Sequence, residues 1–319
     1  MKAAVYSKYG PPEVLQVKEV KKPVPKENEV LIRVYATTVT LYDCWGRACT
    51  GPPGFGLLIR LSSGFKKPKR PILGTEFAGE VESVGKDVIL FKKGDQVFGF
   101  TANLGANAEY ISMPEDKAVA IKPTNMSYEE AAAIPYGGLT SLYFLRKGNI
   151  QSGQKILIFG ASGGLDTFAV QLAKYFGAEV TGVCSTPKLE LVRSLGADKV
   201  IDYTKEDFTN SGDKYDIIFD TIGKSPFSAS KRSLKKEGFY IFATFGLGRA
   251  FRVAMNKNAI SGLVEENAED LIFLKGLIEA GKIKAVIDKS YPIEKIAEAH
   301  RYVESGQKKG QVVITLDNI

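Results

Sequence analysis

Apolar residues in the first 122 positions come in short runs broken by glycine and proline. The pattern predicts extended segments over Lys2 to Tyr6, Val14 to Val20, Glu29 to Val39, Phe77 to Gly85, Asp95 to Phe100, Ala108 to Met113 and Ala118 to Ile121. Turn pairs such as Gly94-Asp95 separate them, which is the texture of a β-rich, barrel-like domain. Near residue 124 the period changes. Ser127 and Glu130 have capping-box spacing and open a helix, Pro135 interrupts it, and helical spacing resumes through Leu139 and Thr140 to a stop at Gly148. A domain boundary near residue 124 follows.

From Lys155 the chain reads as strand, glycine turn, helix and second strand. Ile156 to Phe159 is a continuous apolar run, as expected of a parallel strand covered on both faces. Gly160 to Gly164 is a turn, and Phe168, Ala169, Leu172, Ala173 and Phe176 then recur at helical spacing before Gly177, a C-terminal cap. The turn therefore sits at a helix N-terminus, where free N–H groups and the helix dipole favour a phosphate. Laid over G-x-G-x-x-G, it supplies Ala161, Gly163 and Asp166, so only the central glycine is present. Context strengthens the match, because strands at Glu179 to Val183 and Lys199 to Asp202 follow at βαβ spacing. Tyr215 to Asp220, Gly238 to Thr244 and Ala259 to Val264 read as the fourth, fifth and sixth strands. Asn267 and Asp270 open a helix whose apolar face includes Leu271, Leu274, Leu277 and Ile278. Val286 to Tyr291, a helix ending near Ser305, and Gln311 to Leu316 return to strand-rich texture and are expected to rejoin the first domain. The fold class is α/β. Residues 1–124 and 285–319 form the barrel-like domain and residues 125–284 a doubly wound, Rossmann-type parallel sheet.

Charge at the end of the second strand selects the cofactor. An NAD site places Asp or Glu there for the ribose 2′-OH, whereas a 2′-phosphate needs donors and positive charge. Here the residues are Cys184, Ser185, Thr186, Pro187 and Lys188, so Ser185 donates a hydroxyl, Lys188 an ammonium, and no carboxylate opposes them. NADPH is the expected cofactor. Ser185 or Thr186 also suits the N-cap of a helix starting at Pro187, a role compatible with phosphate binding.

The formal net charge is +7, and the densest basic run is Lys66, Lys67, Lys69 and Arg70. It reads as a solvated loop, because a patch without interleaved aromatics attracts nucleic acid but does not read it. Three cysteines and a single histidine, His300, preclude a four-cysteine or multi-histidine zinc site within one chain, so no metal is expected. No apolar run reaches membrane-span length, and MKAAVYSKYG looks like an opening strand rather than a signal peptide, so the expected location is cytoplasmic, without a membrane partner. The irregular stretch Ala48 to Arg70, with Phe55, Leu57, Leu58, Ile59, Leu61 and Phe65, is expected to form a flap over a pocket, with a short helix packed on the surface as the alternative.

Four segments carry a family resemblance: ENEVLIRVYATTVTLYDCWGR, RPILGTEFAGEVESVGKDVILFKKGDQVFGF, AAAIPYGGLTSLYFL and GASGGLDTFAVQLAKYFGAEVTGVCSTPKLELVRSLGADKVIDY. With the ending GQVVITL they make the whole chain resemble the medium-chain dehydrogenase/reductase superfamily, in its zinc-independent, zeta-crystallin-like quinone oxidoreductase branch. The resemblance implies a GroES-like barrel domain completed by the C-terminal segment, a Rossmann domain, an active site in the cleft, and a homodimer. It also implies that Ser162, Gly163, Gly164 and Leu165 bind pyrophosphate and that Ser185 and Lys188 contact the 2′-phosphate. Tyr203 matches an aromatic against the adenosine, Thr140 a residue near the nicotinamide, and Thr221 a loop residue at the cofactor's edge. The zinc branch reads Gly-His-Glu where this chain has Gly74-Thr75-Glu76, so Cys44 lacks its metal-binding partner and reads as a small buried residue.

The implied reaction is hydride transfer from NADPH to a quinone or α,β-unsaturated carbonyl. The acceptor oxygen gains charge and needs a hydrogen-bond donor. Thr40, Tyr42 and Tyr136 are the candidates, with Tyr42 first; the family often carries Asn where Thr40 stands. His300 is read as lying in a polar helix far from the cofactor segments, which excludes a Cys-His nucleophile. The rival reading is a weakly active NADPH-binding protein with a structural or nucleic-acid-associated role, supported by Asp166 and the basic balance.

Overall fold

The computed structural model describes residues 1–51, 60, 61, 63–223, 225, 227–243, 247–262, 264 and 267–316. Strands β1 (Lys2–Val5) and β2 (Gln16–Glu19) pair antiparallel as a ribbon. β3 (Glu29–Thr38), β4 (Glu76–Val84), β5 (Gln96–Phe100), β6 (Tyr110–Pro114) and β7 (Val119–Ile121) form the antiparallel body of a seven-stranded sheet. Along β3, Val30, Ile32, Val34 and Ala36 are all fully buried, the period of two expected of a strand with one face on a core. Gly79 lets β3 and β4 approach: a Cβ there would lie 1.9 Å from the Arg33 carbonyl oxygen. Helix α1 (Leu41–Ala48) follows β3.

The capping box of Ser127 and Glu130 forms and starts α2 (Tyr128–Ala132). Pro135 then occupies the first turn of a separate helix, α3 (Pro135–Lys147), where its missing N–H has no intrahelical acceptor to lose.

The remaining core is a parallel sheet of β8 (Lys155–Phe159), β9 (Glu179–Cys184), β10 (Lys199–Asp202), β11 (Tyr215–Asp220), β12 (Leu234–Phe242) and β13 (Ala259–Ile260). Its order is β10-β9-β8-β11-β12-β13, with every pairing parallel. This is the doubly wound order, and its switch point lies between β8 and β11. Helices α4 (Asp166–Tyr175) and α5 (Leu189–Ser194) pack on it, α6 (Phe227–Ser230) and α7 (Leu247–Met255) lie between the later strands in sequence, and α8 (Ala268–Glu279) packs on α3, with Leu274 over Gly138.

Most strands differ from expectation by one or two residues at an end, and two strands of the parallel sheet differ by more. The fifth begins at Leu234 rather than Gly238, because Lys235, Lys236 and Glu237 are exposed and carry no apolar signal even though they are extended. The sixth shrinks to Ala259–Ile260. Beyond Thr186–Lys188, a 3-10 turn, α5 starts at Leu189 rather than at Pro187. Of the expected flap, residues 52–59 and 62 lie outside the described residues.

Finally β14 (Ile287–Pro292), helix α9 (Ile296–Glu304) and β15 (Gln311–Thr315) rejoin the first sheet, where β15 pairs antiparallel with β3. One apolar cluster joins the two halves. It includes Ala36, Ala78 and Phe98 from the barrel sheet and Ile134, Phe144, Phe168 and Phe219 from the helices and parallel sheet. Among the described residues, no helix is long and apolar enough to cross a membrane.

Candidate cofactor and substrate site

The glycine turn is bent by its own backbone. The N–H groups of Gly160 and Ala161 both donate to the Val183 carbonyl, at 2.9 and 3.0 Å, which folds the chain from β8 across β9. Gly160 takes φ 101°, a left-handed conformation that favours glycine. Ser162, Gly163, Gly164 and Leu165 then lead into α4, whose open N-terminus faces the switch point. Space above the two central glycines is shared with other side chains. A Cβ on Gly164 would meet the Gln311 amide oxygen at 2.3 Å, and one on Gly163 would meet Asp166 Oδ2 at 2.3 Å.

Asp166 is thus folded back over the turn. It is 6% exposed, and its Oδ1 has no hydrogen-bond partner among the described residues. Burial pushes its carboxyl up to about 7, against the Thr221 hydroxyl and the Lys308 ammonium, which pull the other way. Its position at the start of α4 favours a carboxylate, but desolvation outweighs the dipole. Thr221 lies at the same corner, its hydroxyl donating to the Phe159 carbonyl at 2.9 Å.

At the far end of β9, Ser185 makes no side-chain cap on the turn that follows, so the capping alternative is not realised by this residue. The Lys188 ammonium donates to the carbonyls of Lys308 at 2.9 Å and Gly306 at 3.5 Å, on the segment entering β15. Tyr203 is 57% exposed, and its N–H donates to the Cys184 carbonyl at 3.1 Å, which places it beside Ser185. Local sequence around Ser185 does not reveal one neighbour, Asp202. Hydrogen bonds from Thr186 and Thr204 hold its carboxyl down at about 2, so this carboxylate is satisfied by local hydroxyls. The turn, the helix N-terminus and the Ser185–Lys188 corner fit a dinucleotide with a 2′-phosphate. Asp166 opposes that fit.

Tyr136 on α3 stands within electrostatic reach of Glu76, Asp43 and Tyr42 from the barrel and of Asp166 at the turn. Thr40 is the buried N-cap of α1: its hydroxyl donates to Asp43 Oδ2 at 2.6 Å, and the Asp43 N–H returns a bond at 3.3 Å. Replacing Thr40 by alanine removes that cap, and a thermal-denaturation series should register a loss of about 1 kcal/mol. Tyr42, the second residue of α1, is 51% exposed. Tyr136 lies on α3; its N–H donates to Glu76 Oε1 at 2.7 Å, while burial and then the Glu76 charge push its phenol well above the usual tyrosine range. Glu76 is itself buried, which raises its carboxyl to about 7 despite the Thr38 hydroxyl and the Tyr136 N–H. Thr140 is buried on α3, one turn beyond Tyr136.

One expectation is overturned. His300 is not remote on a polar face; it is fully buried, with Nδ1 3.5 Å from Cys44 Sγ. Four polar residues around it in sequence conceal an inward-facing position on α9. The pair is still no nucleophile: burial lowers the imidazole to about 3 and pushes the Cys44 thiol far up, so both groups stay neutral. Glu76 and Asp43 are the acidic residues that pattern reading missed. Asp43 follows Thr40 by three positions, a capping-box spacing that was available as a signal.

Comparison with known proteins extends this geometry. A family described as "Alcohol dehydrogenase GroES-like domain" matches residues 26–123, and one described as "Zinc-binding dehydrogenase" matches residues 195–314. A 2-methylene-furan-3-one reductase of Solanum lycopersicum is 36% identical over 98% of this chain and 79% of its own length. A chloroplastic NADPH-dependent alkenal/one oxidoreductase of Arabidopsis thaliana is 34% identical, with the same two coverages, 98% and 79%. The solved structure of the quinone oxidoreductase from Coxiella burnetii superposes with a TM-score of 0.90 at 29% identity, over 99% of each chain.

Proposed function

The chain belongs to the medium-chain dehydrogenase/reductase superfamily, among its quinone oxidoreductases, and on that premise we propose that it transfers a hydride from NADPH to a quinone or an α,β-unsaturated carbonyl. The carrying observation is the end of β9, where the Ser185 hydroxyl makes no hydrogen bond among the described residues, Lys188 supplies an ammonium, and the strand ends without a carboxylate. In this reading that corner accepts a 2′-phosphate, and the nearby Asp202 carboxylate, already occupied by the Thr186 and Thr204 hydroxyls, is not the acceptor that a bare ribose hydroxyl would need.

When bound, a reduced nicotinamide supplies the hydride. The protein's part is to position, to exclude water and to stabilise charge on the acceptor oxygen. Thr221 follows β11 at the switch point, and Thr140 is buried on α3 next to Ser141, whose hydroxyl donates to the Leu165 carbonyl; in this reading both lie along the nicotinamide end of the cofactor, and the turn residues Ser162 to Leu165 anchor the diphosphate. Tyr42 is the donor to the acceptor oxygen in this reading, because its hydroxyl stands on an exposed helical turn while the Thr40 hydroxyl is committed to Asp43. We include in the proposal that no metal takes part, since the lone histidine is buried against Cys44. A cytoplasmic location, a homodimer, and small molecules rather than nucleic acid as partners complete it.

The test is consumption of reduced cofactor by purified protein against a panel of quinones and enones. NADPH should be used in preference to NADH; binding of NADPH with no turnover on any acceptor would sink the catalytic reading. Tyr42→Phe should lower kcat about tenfold, the scale of one hydrogen bond to a developing charge, with the NADPH dissociation constant unchanged. Unchanged kcat would remove Tyr42 from the mechanism.

A further inference from the structure

Two lysines beside the glycine turn lack the partner that a buried cation ordinarily has. Lys188 and Lys308 are both half-buried, and burial pulls both ammonium groups below the usual lysine range. Neither forms an ion pair among the described residues, although fifteen other ion pairs, such as Lys174–Asp198, do form. A desolvated ammonium without a counter-charge is unfavourable unless an anion arrives to complete it.

One short segment connects the two. Residues 306–311 return from α9 to β15, and Gly310 lies against the turn itself: its N–H donates to the Ser162 carbonyl at 2.9 Å, and it bridges Gly163 in parallel register. Lys188 binds the Lys308 carbonyl at 2.9 Å, while the Lys308 ammonium donates to the Gly310 carbonyl at 2.8 Å. That is the only acceptor it reaches among the described residues, which leaves two of its three N–H bonds uncommitted. Asp166 from α4 and Glu76 from β4 are its main opposing charges, with Lys188 and Asp288 as the other charged groups facing it. Asp166 in turn presents the unpartnered Oδ1 described above. A cation from one domain and a carboxyl from the other therefore face each other at the turn without pairing, and each has bonding capacity to spare.

We propose that Lys308, carried by the segment returning to the barrel, is a ligand of the cofactor diphosphate, and that Asp166 is the charge with which the diphosphate competes for it. The proposal rests on the NADPH reading and goes beyond it: diphosphate binding draws on both domains. It also accounts for an acidic residue in a phosphate turn, since the lysine offsets the carboxylate that replaces the glycine of the fingerprint. Because the diphosphate is common to both cofactors, Lys308 serves NADPH and NADH alike, whereas Lys188 at the 2′-phosphate corner serves NADPH alone.

The experiment measures dissociation constants of NADPH and NADH, by cofactor fluorescence at low salt, for the wild-type chain and the Lys308→Gln, Lys308→Arg, Asp166→Asn and Asp166→Asn/Lys308→Gln variants. Circular dichroism checks that each is folded. Lys308→Gln should weaken both cofactors equally, about tenfold, the scale of a charge-assisted hydrogen bond. Lys308→Arg should recover most of that loss, and Asp166→Asn should tighten both cofactors, less so at high salt. The double variant is decisive: the tenfold loss should persist without the carboxylate. A loss that disappears in the Asp166→Asn background would overturn the proposal, because Lys308 would then only neutralise Asp166. Unchanged affinity in Lys308→Gln, or a loss confined to NADPH, would overturn it too. A wild-type chain that binds neither cofactor would instead overturn the NADPH reading, and this assignment with it.

Discussion

Lys188→Glu should weaken NADPH binding about a hundredfold and leave NADH within about threefold of wild type. The effect is electrostatic. Lys188 is half-buried, its ammonium touches only two backbone carbonyls of the segment before β15, and no carboxylate pairs with it among the described residues. Reversal removes an attraction to the 2′-phosphate and introduces a repulsion. A unit charge pair at ~4 Å is worth roughly 1 to 4 kcal/mol between bulk water and a partly screened surface, so two such changes reach about a hundredfold without any low-dielectric assumption. NADH lacks the phosphate and registers only the loosened segment. Titrating both cofactors at one ionic strength decides it. An equal loss for both would mean that Lys188 anchors residues 306–308 and does not read the 2′-phosphate.

Phe168→Ala should be the most destabilising of these substitutions, at about 3–5 kcal/mol. Phe168 is fully buried on α4, in the cluster that joins the two halves of the molecule. Its ring also fills the space above Gly137 on α3, where an added Cβ would lie 2.7 Å from Phe168 Cδ2. Truncation therefore opens a void between two helices whose backbones are already close, and neither can move in without displacing the turn before α4. The thermal midpoint should fall on the order of 10 °C. NADPH at about a hundred times its dissociation constant should return roughly 2.7 kcal/mol of that loss if the turn survives. A fall of only a degree or two would show that the site collapses around the smaller side chain.

How legible each part was depends on the range of the forces that set it. Ile156 to Phe159 announces a buried strand within four residues, and Ser127 with Glu130 announces a helix start, because periodicity and capping act over one or two turns. The start of β12 carries no local signal because Lys235, Lys236 and Glu237 are exposed and fall in the irregularity between the Tyr215–Leu234 and Ile217–Phe239 pairs with β11, so the long-range pairing of Leu234 marks where the strand begins. His300 was misplaced for a related reason. Its helix carries charged neighbours on the outer face, and the contact that buries it comes from Cys44, 256 residues earlier.

By itself the sequence determined the order of elements, the parallel sheet with its glycine turn, the run Cys184 to Lys188 without a carboxylate, and the family. All of these follow from short-range pattern and residue chemistry. Only the tertiary structure decided where the charges of the site stand. Asp166 is a surface-type residue in any local reading, yet it is buried over the turn, and that burial raises its carboxyl to about 7. Lys308 looks like one of many solvated lysines until that same segment carries it against the turn. Desolvation depends on everything packed around a group, and here the packing comes from the two ends of the domain architecture, so no window of sequence contains it.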